Sequence, residues 1–128
     1  MEYSSQKPTP AKILVIDDDP AVLEAMELVL NQAGFNVVSA ESGGTAVAFA
    51  KSDVFDVAIT DLKMPGMSGL ETLTALRQIA PALPVIIASG FITDDVAAEC
   101  MSLGALGYIR KPFDLKDLLS WVGRALCA

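Results

Sequence analysis

The feature that most constrains this chain is a fivefold alternation of short apolar runs with stretches of helical spacing. Ile13 to Ile16, Val57 to Ile59 and Val85 to Ala88 are unbroken apolar runs. They are rich in β-branched residues and bounded by polar or turn residues, so each reads as a buried strand. Phe35 to Ser39 and Gly107 to Ile109 read as a second and a fifth strand. Strands covered on both faces lose the apolar–polar alternation of a half-exposed sheet, as the three continuous runs do. The alternation predicts a single α/β domain, with helices on both faces of a parallel sheet.

The helices carry their own boundaries. Asp19 is placed to cap a first helix with Pro20 in its opening turn. Leu23, Met26, Leu30 and Ala33 form its stripe, and Gly34 is its C′ residue. Ser42 caps a helix through Lys51, apolar at Val47, Ala48 and Ala50. Ser68 and Glu71 have capping-box spacing at the head of a helix to about Ile79. Thr93 caps a helix over Asp94 to Leu103. Asp114 caps the last, whose stripe is Leu115, Leu118, Leu119, Val122 and Leu126. Trp121 falls roughly 120° from the centre of that stripe. It is either a flank covered by its neighbours or part of a partner or dimer surface.

A length of 128 residues suits one domain. Residues 1–11, with Pro8 and Pro10, read as a flexible tail or linker, and residues 12–126 as the folded unit. A net charge of −7 argues against direct contact with nucleic acid or an anionic membrane. No stretch approaches the roughly 18 apolar residues of a membrane span. Cys100 and Cys127 lack CxxC spacing, and no secretory signal precedes the domain. Both read as reduced thiols of a cytoplasmic protein. Histidine is absent. Any phosphohistidine chemistry must therefore use a histidine on another protein.

A parallel sheet gathers the carboxyl ends of its strands on one edge, where open α/β sheets place ligands. The residues just past the apolar runs are Asp17 and Asp18, Asp61, Ser89 and Lys111. Pro65 and Gly66 keep the stretch after Asp61 in a loop. Each residue alone has an ordinary explanation as a cap, a turn or a solvated charge, but together they are complementary. Two carboxylates 4 Å apart repel by about 4 kcal/mol at an effective dielectric near 20. Three need more than one lysine to balance them. Oxygen ligands without His or Cys point to a hard cation, Mg²⁺ first. A carboxylate beside such an ion is suited to attack a phosphoryl group, giving an aspartyl-phosphate at Asp61. Lys111 and Ser89 would steady the phosphoryl oxygens.

The chain resembles the receiver domain of two-component response regulators. The resemblance is carried by Ile13-Leu14-Val15-Ile16-Asp17-Asp18, by Thr60-Asp61-Leu62-Lys63-Met64-Pro65-Gly66-Met67-Ser68-Gly69, by Ala88-Ser89-Gly90 and by Tyr108-Ile109-Arg110-Lys111-Pro112-Phe113. It covers residues 12–126. It implies a flavodoxin-like (βα)5 fold with strand order 2-1-3-4-5. It also implies that Asp61 accepts phosphate from a histidine kinase or phosphotransfer protein. Asp18, Asp61 and the carbonyl of Lys63 would hold Mg²⁺ directly, and Asp17 through water. Lys111-Pro112 would be a cis peptide. Ser89 and Tyr108 would form a switch that alters the face of the fourth helix, fifth strand and last helix, where an effector domain or a second copy would dock. Ser89 stands where threonine is as common, which keeps the hydroxyl. The resemblance leaves open a stand-alone regulator or a segment of a longer regulator or hybrid kinase.

Two other readings share these residues. A haloacid-dehalogenase-like phosphohydrolase carries Asp-x-Asp after its first strand, as Asp17-x-Asp19 does, but Ala21 stands where it needs threonine. A degenerate receiver acting only as a binding module would have lost an acidic, acceptor or lysine residue, and all are present.

Overall fold

The computed structural model describes residues 10–127. Strands and helices alternate as β1 (Lys12–Ile16), α1 (Pro20–Gln32), β2 (Asn36–Ala40), α2 (Gly43–Ser52), β3 (Val57–Thr60), α3 (Gly69–Ile79), β4 (Val85–Ser89), α4 (Asp94–Ser102), β5 (Gly107–Arg110) and α5 (Leu115–Cys127). The five strands form one parallel sheet in the order β2-β1-β3-β4-β5, which is the expected flavodoxin-like arrangement.

The two faces follow from the period of two along each strand. Ile13, Val15, Val57, Ile59, Ile86 and Ala88 pack with Leu23, Met26 and Leu30 of α1 and Leu118 and Val122 of α5. Leu14, Ile16, Ala58, Val85 and Ile87 face the other way, onto Ala46 of α2, Leu73 and Leu76 of α3, and Ala97 and Cys100 of α4. Burying one large apolar side chain contributes about 1.5–3 kcal/mol. Ile13 to Ile16, Val57, Ile59 and Val85 to Ile87 are all buried in this way, so β1, β3 and β4 are the rigid base on which the site stands.

The caps form as expected. The Asp19 carboxylate accepts from Ala21 N, with Pro20 opening α1. Ser68 and Glu71 complete a capping box on α3. Thr93 and Asp114 accept from Val96 N and Asp117 N. The end of α1 displaces one boundary. Gly34, at φ 95°, donates to Asn31 O, and Phe35 N donates to Leu30 O. This is the paired closure of a Schellman motif. The amide of Phe35 is thus committed to the helix, and β2 begins one residue later than its apolar run.

Other positions also depart from the sequence reading. Ala11, assigned to the tail, is buried, and its carbonyl accepts from Asn36 N at 2.9 Å, so the folded unit begins one residue earlier. Of the rest of the expected tail, Pro10 is exposed and residues 1–9 lie outside the described residues. Ala33 is the exposed C-cap of α1 and not a core residue. In α2 the buried positions are Gly43 and Ala46, while Ala48 faces solvent. Leu115 is 48% exposed. It borders an open groove with Val22 and Ala25, and Ala125 takes the buried place on α5 instead. Trp121 is half-buried, packed against the α1–α5 face of the core. Its ring lies on Gly107, where an added Cβ would stand 2.3 Å from two ring carbons. The Arg124 guanidinium lies 4.7 Å from its centroid.

Candidate functional site

The carboxyl edge is built by the three central strands and β5. Asp17 follows β1 and is almost fully buried. Its backbone amide donates to Ala40 O at 3.1 Å, and its Oδ1 accepts from Asp19 N at 2.9 Å. The remaining oxygen, Oδ2, accepts from Lys111 Nζ at 2.6 Å. Asp61 follows β3, with its amide on Ile16 O at 3.0 Å. The amide of Leu62 donates to Asp61 Oδ1 at 2.8 Å, leaving Oδ2 turned to Lys111 Nζ at 3.5 Å. Lys111 is in turn fixed to β4, because its backbone amide donates to Ser89 O at 2.9 Å. The Lys111-Pro112 peptide is cis.

Burial penalises the Lys111 ammonium, but the hydrogen bond to Asp17 and the nearby charges of Asp61 and Asp17 outweigh it. Its pKa is raised above the ordinary lysine value. Lys111 is therefore a fixed positive charge. Asp18 is exposed. One carboxylate oxygen each from Asp17, Asp18 and Asp61 lies within 4.8 Å of the others. Three converging carboxylate oxygens with no soft donor fit a hard divalent cation that keeps some of its water.

Ser89 is fully buried at the end of β4, and its Oγ accepts from Phe91 N at 3.2 Å. Tyr108 is half-buried against the cluster formed by α2, α3 and α4, with the Arg110 guanidinium 5.3 Å from its ring. The fold thus brings Asp17, Asp18, Asp61 and Lys111 together and sets Ser89 on the adjoining strand end. Lys63 follows in the loop after Asp61, its side chain exposed.

Three features of this edge were not legible in the sequence. The Lys63 ammonium lies 4.4 Å from the centroid of the exposed Phe91 ring. Arg110 Nε donates to Ile92 O at 3.2 Å, and its guanidinium lies 3.8 Å from Asp94. Gly69 packs directly on the backbone that carries Asp61. The first pair is brought together by loop geometry and the second by the packing of the end of β5 beside the start of α4, and a glycine in a loop-to-helix junction carries no signal of what it touches.

Five parallel strands in this order, with an acidic trio and a lysine at their carboxyl edge, define a receiver-type signalling domain of flavodoxin-like fold. The family profile of the response regulator receiver domain matches residues 13–122, and the chain belongs to that family. Among curated proteins it is 36% identical over 114 residues to the transcriptional regulatory protein ZraR of Salmonella typhimurium, covering 89% of this chain and 26% of that protein. It is also 36% identical over 114 residues to the DNA-binding transcriptional regulator NtrC of the same organism, covering 89% of this chain and 24% of that one. The chain thus spans about a quarter of these relatives. Among solved structures, a CheY-like receiver domain protein from Methanospirillum hungatei superposes with a TM-score of 0.90 at 29% identity, covering 93% of this chain and 95% of that one. The chemotaxis protein CheY4 of Vibrio cholerae does so with 0.88 at 32%, covering 92% and 100%. Domains of this family are signalling phospho-acceptors that depend on Mg²⁺ in general and interact with histidine kinases. Among the described residues, no helix is long and apolar enough to cross a membrane.

Proposed function

We propose that Asp61 is the phospho-acceptor of this receiver, taking a phosphoryl group from a histidine kinase or phosphotransfer protein and passing the signal through α4, β5 and α5. The observation that carries this reading is the position of Lys111 Nζ, 2.6 Å from Asp17 Oδ2 and 3.5 Å from Asp61 Oδ2. A fixed cation beside a carboxylate oxygen at the ligand-binding edge of the sheet is what phosphoryl oxygens need on arrival.

In the transfer, a carboxylate oxygen of Asp61 forms a bond to phosphorus while the bond from phosphorus to the donor's imidazole nitrogen breaks. The electron pair stays on that nitrogen. Asp17, Asp18 and Asp61, with the carbonyl of Lys63, would hold Mg²⁺, which when bound neutralises charge on the phosphoryl group. Lys111 is shared with Asp17 at rest and turns towards the phosphoryl oxygens. The Leu62 amide holds Asp61 Oδ1 and orients the carboxylate. Ser89 gives up its hydroxyl contact with Phe91 N and donates to a phosphoryl oxygen. Tyr108 then fills the vacated space, altering the face that an effector domain or a second copy would read. The free thiols Cys100 and Cys127 suit a reducing cytoplasm.

The test is intact-mass analysis after incubation with acetyl phosphate and Mg²⁺. One added phosphate, located at Asp61, supports the reading. Stoichiometric labelling at a different residue refutes it.

A further inference from the structure

Gly69 opens α3, and its amide donates to Leu62 O at 2.8 Å. A methyl group here would fall 2.2 Å from the carbonyl oxygen of Asp61, 2.4 Å from Leu62 Cα and 2.9 Å from the carbonyl carbon of Asp61. All three are backbone atoms, so no side-chain rotation relieves the overlap. In a close-packed interior the backbone itself must shift, by on the order of 1 Å.

That backbone carries the acceptor. The peptide between Asp61 and Leu62 supplies the amide that holds Asp61 Oδ1 at 2.8 Å. Its carbonyl, 2.2 Å from the added methyl, also accepts from Thr60 Oγ1 at 3.0 Å. The elements on either side are anchored. β3 is paired to β1 and β4 along its length. α3 is locked by the Ser68–Glu71 box, by Thr72 Oγ1 donating to Ser68 O at 2.8 Å, and by the fully buried Leu73 and Leu76. A displacement therefore concentrates in the Asp61–Leu62 junction between them.

We propose that Gly69 is a positioning residue for the acceptor. Lacking a side chain, it lets α3 rest on the Asp61–Leu62 peptide, and that seat sets the Asp61 carboxylate relative to Asp17, Asp18 and Lys111. The inference rests on the reading of Asp61 as the acceptor. It runs against helix propensity, since alanine is the better helix former.

Gly107 supplies the comparison. A methyl there would fall 2.3 Å from two carbons of the Trp121 ring, so it disturbs the packing of α5 on the start of β5 and leaves the α3 seat alone. The experiment uses the full chain as wild type, Gly69→Ala and Gly107→Ala. It measures Mg²⁺ affinity by calorimetry, the phosphorylation rate with acetyl phosphate, and the amide NMR shift of Leu62. Gly69→Ala is expected to bind Mg²⁺ about tenfold more weakly, to move the Leu62 amide, and to take phosphate roughly 10- to 100-fold more slowly, as displacements of about 1 Å do. Gly107→Ala is expected to melt earlier while keeping its Mg²⁺ affinity. Wild-type affinity and rate in Gly69→Ala overturn the inference, as do equal losses in both variants. Should Gly69→Ala fail to fold, Ser68→Ala loosens the same seat by removing the α3 cap. Weakened Mg²⁺ binding in that folded variant supports the inference, and unchanged binding overturns it. A wild-type chain that takes no phosphate overturns the acceptor reading and with it a role for Gly69 in phosphoryl transfer, while the Mg²⁺ affinities and the Leu62 shift still decide whether Gly69 sets the position of the Asp61 carboxylate.

Discussion

Lys111 stands closer to Asp17 than to Asp61, with Nζ 2.6 Å from the one carboxylate and 3.5 Å from the other. At rest the ammonium is thus bound chiefly by the buried Asp17. Lys111→Ala leaves that carboxylate, among the described residues, with only its contact to Asp19 N. Melting without divalent cations should show a loss of about 1–3 kcal/mol, the usual cost of leaving a buried polar group short of a partner. The lower end is expected, because Lys111 is partly solvated. Added Mg²⁺ should narrow the gap to wild type, and a gap that widens with Mg²⁺ would contradict this charge balance.

Mg²⁺ should raise the melting temperature of the wild-type chain, because a ligand that binds only the native state stabilises it by mass action. Asp18→Ala should abolish that rise. It should also make the metal-free protein slightly more stable, by removing one of three converging carboxylates. An unchanged Mg²⁺ response in the variant would mean that Asp18 is not a ligand.

Ser89→Ala should still accept phosphate, more slowly, yet lose most of the structural response. What drives that response is the hydroxyl's charge-assisted hydrogen bond to a phosphoryl oxygen, worth roughly 1.5–3 kcal/mol. NMR shifts with a beryllofluoride mimic should change in the wild-type chain at Tyr108, at Ile92 and Arg110, and at Trp121 through its contact with Gly107. The full pattern in Ser89→Ala would rule out the Ser89–Tyr108 switch.

The two thiols should differ in reactivity. Burial, helped by the charge of Glu99, pushes the Cys100 thiol pKa up, so thiolate is scarce at neutral pH, whereas Cys127 is exposed. A thiol reagent should label one site in the native chain and two after denaturation. Rapid labelling of Cys100 in the native state would show that the α4 side of the core opens more readily than its packing implies.

What the sequence made legible was what local chemistry decides. The apolar runs marked β1, β3 and β4, and Asp19, Ser68, Thr93 and Asp114 marked helix starts. The single edge of a parallel sheet then gathered Asp17, Asp18, Asp61, Ser89 and Lys111. The misses arise where tertiary contact overrides local pattern. Phe35 is apolar enough for a strand, but its amide closes α1. Leu115 fits the stripe of α5, but the helix begins beyond the sheet and leaves it over an open groove. Trp121 lies off the stripe by angle and is nevertheless half-buried, because Gly107 makes room for its ring.

Asp61 as the sole acceptor of the phosphoryl group is the proposal on which the switch and the role of Gly69 both depend. The decisive comparison is wild type against Asp61→Asn, incubated with a phosphorylated histidine kinase or acetyl phosphate and Mg²⁺ and read by intact mass. One added phosphate is expected on the wild-type chain, at Asp61, and none on the variant. Equal incorporation in both would contradict the assignment.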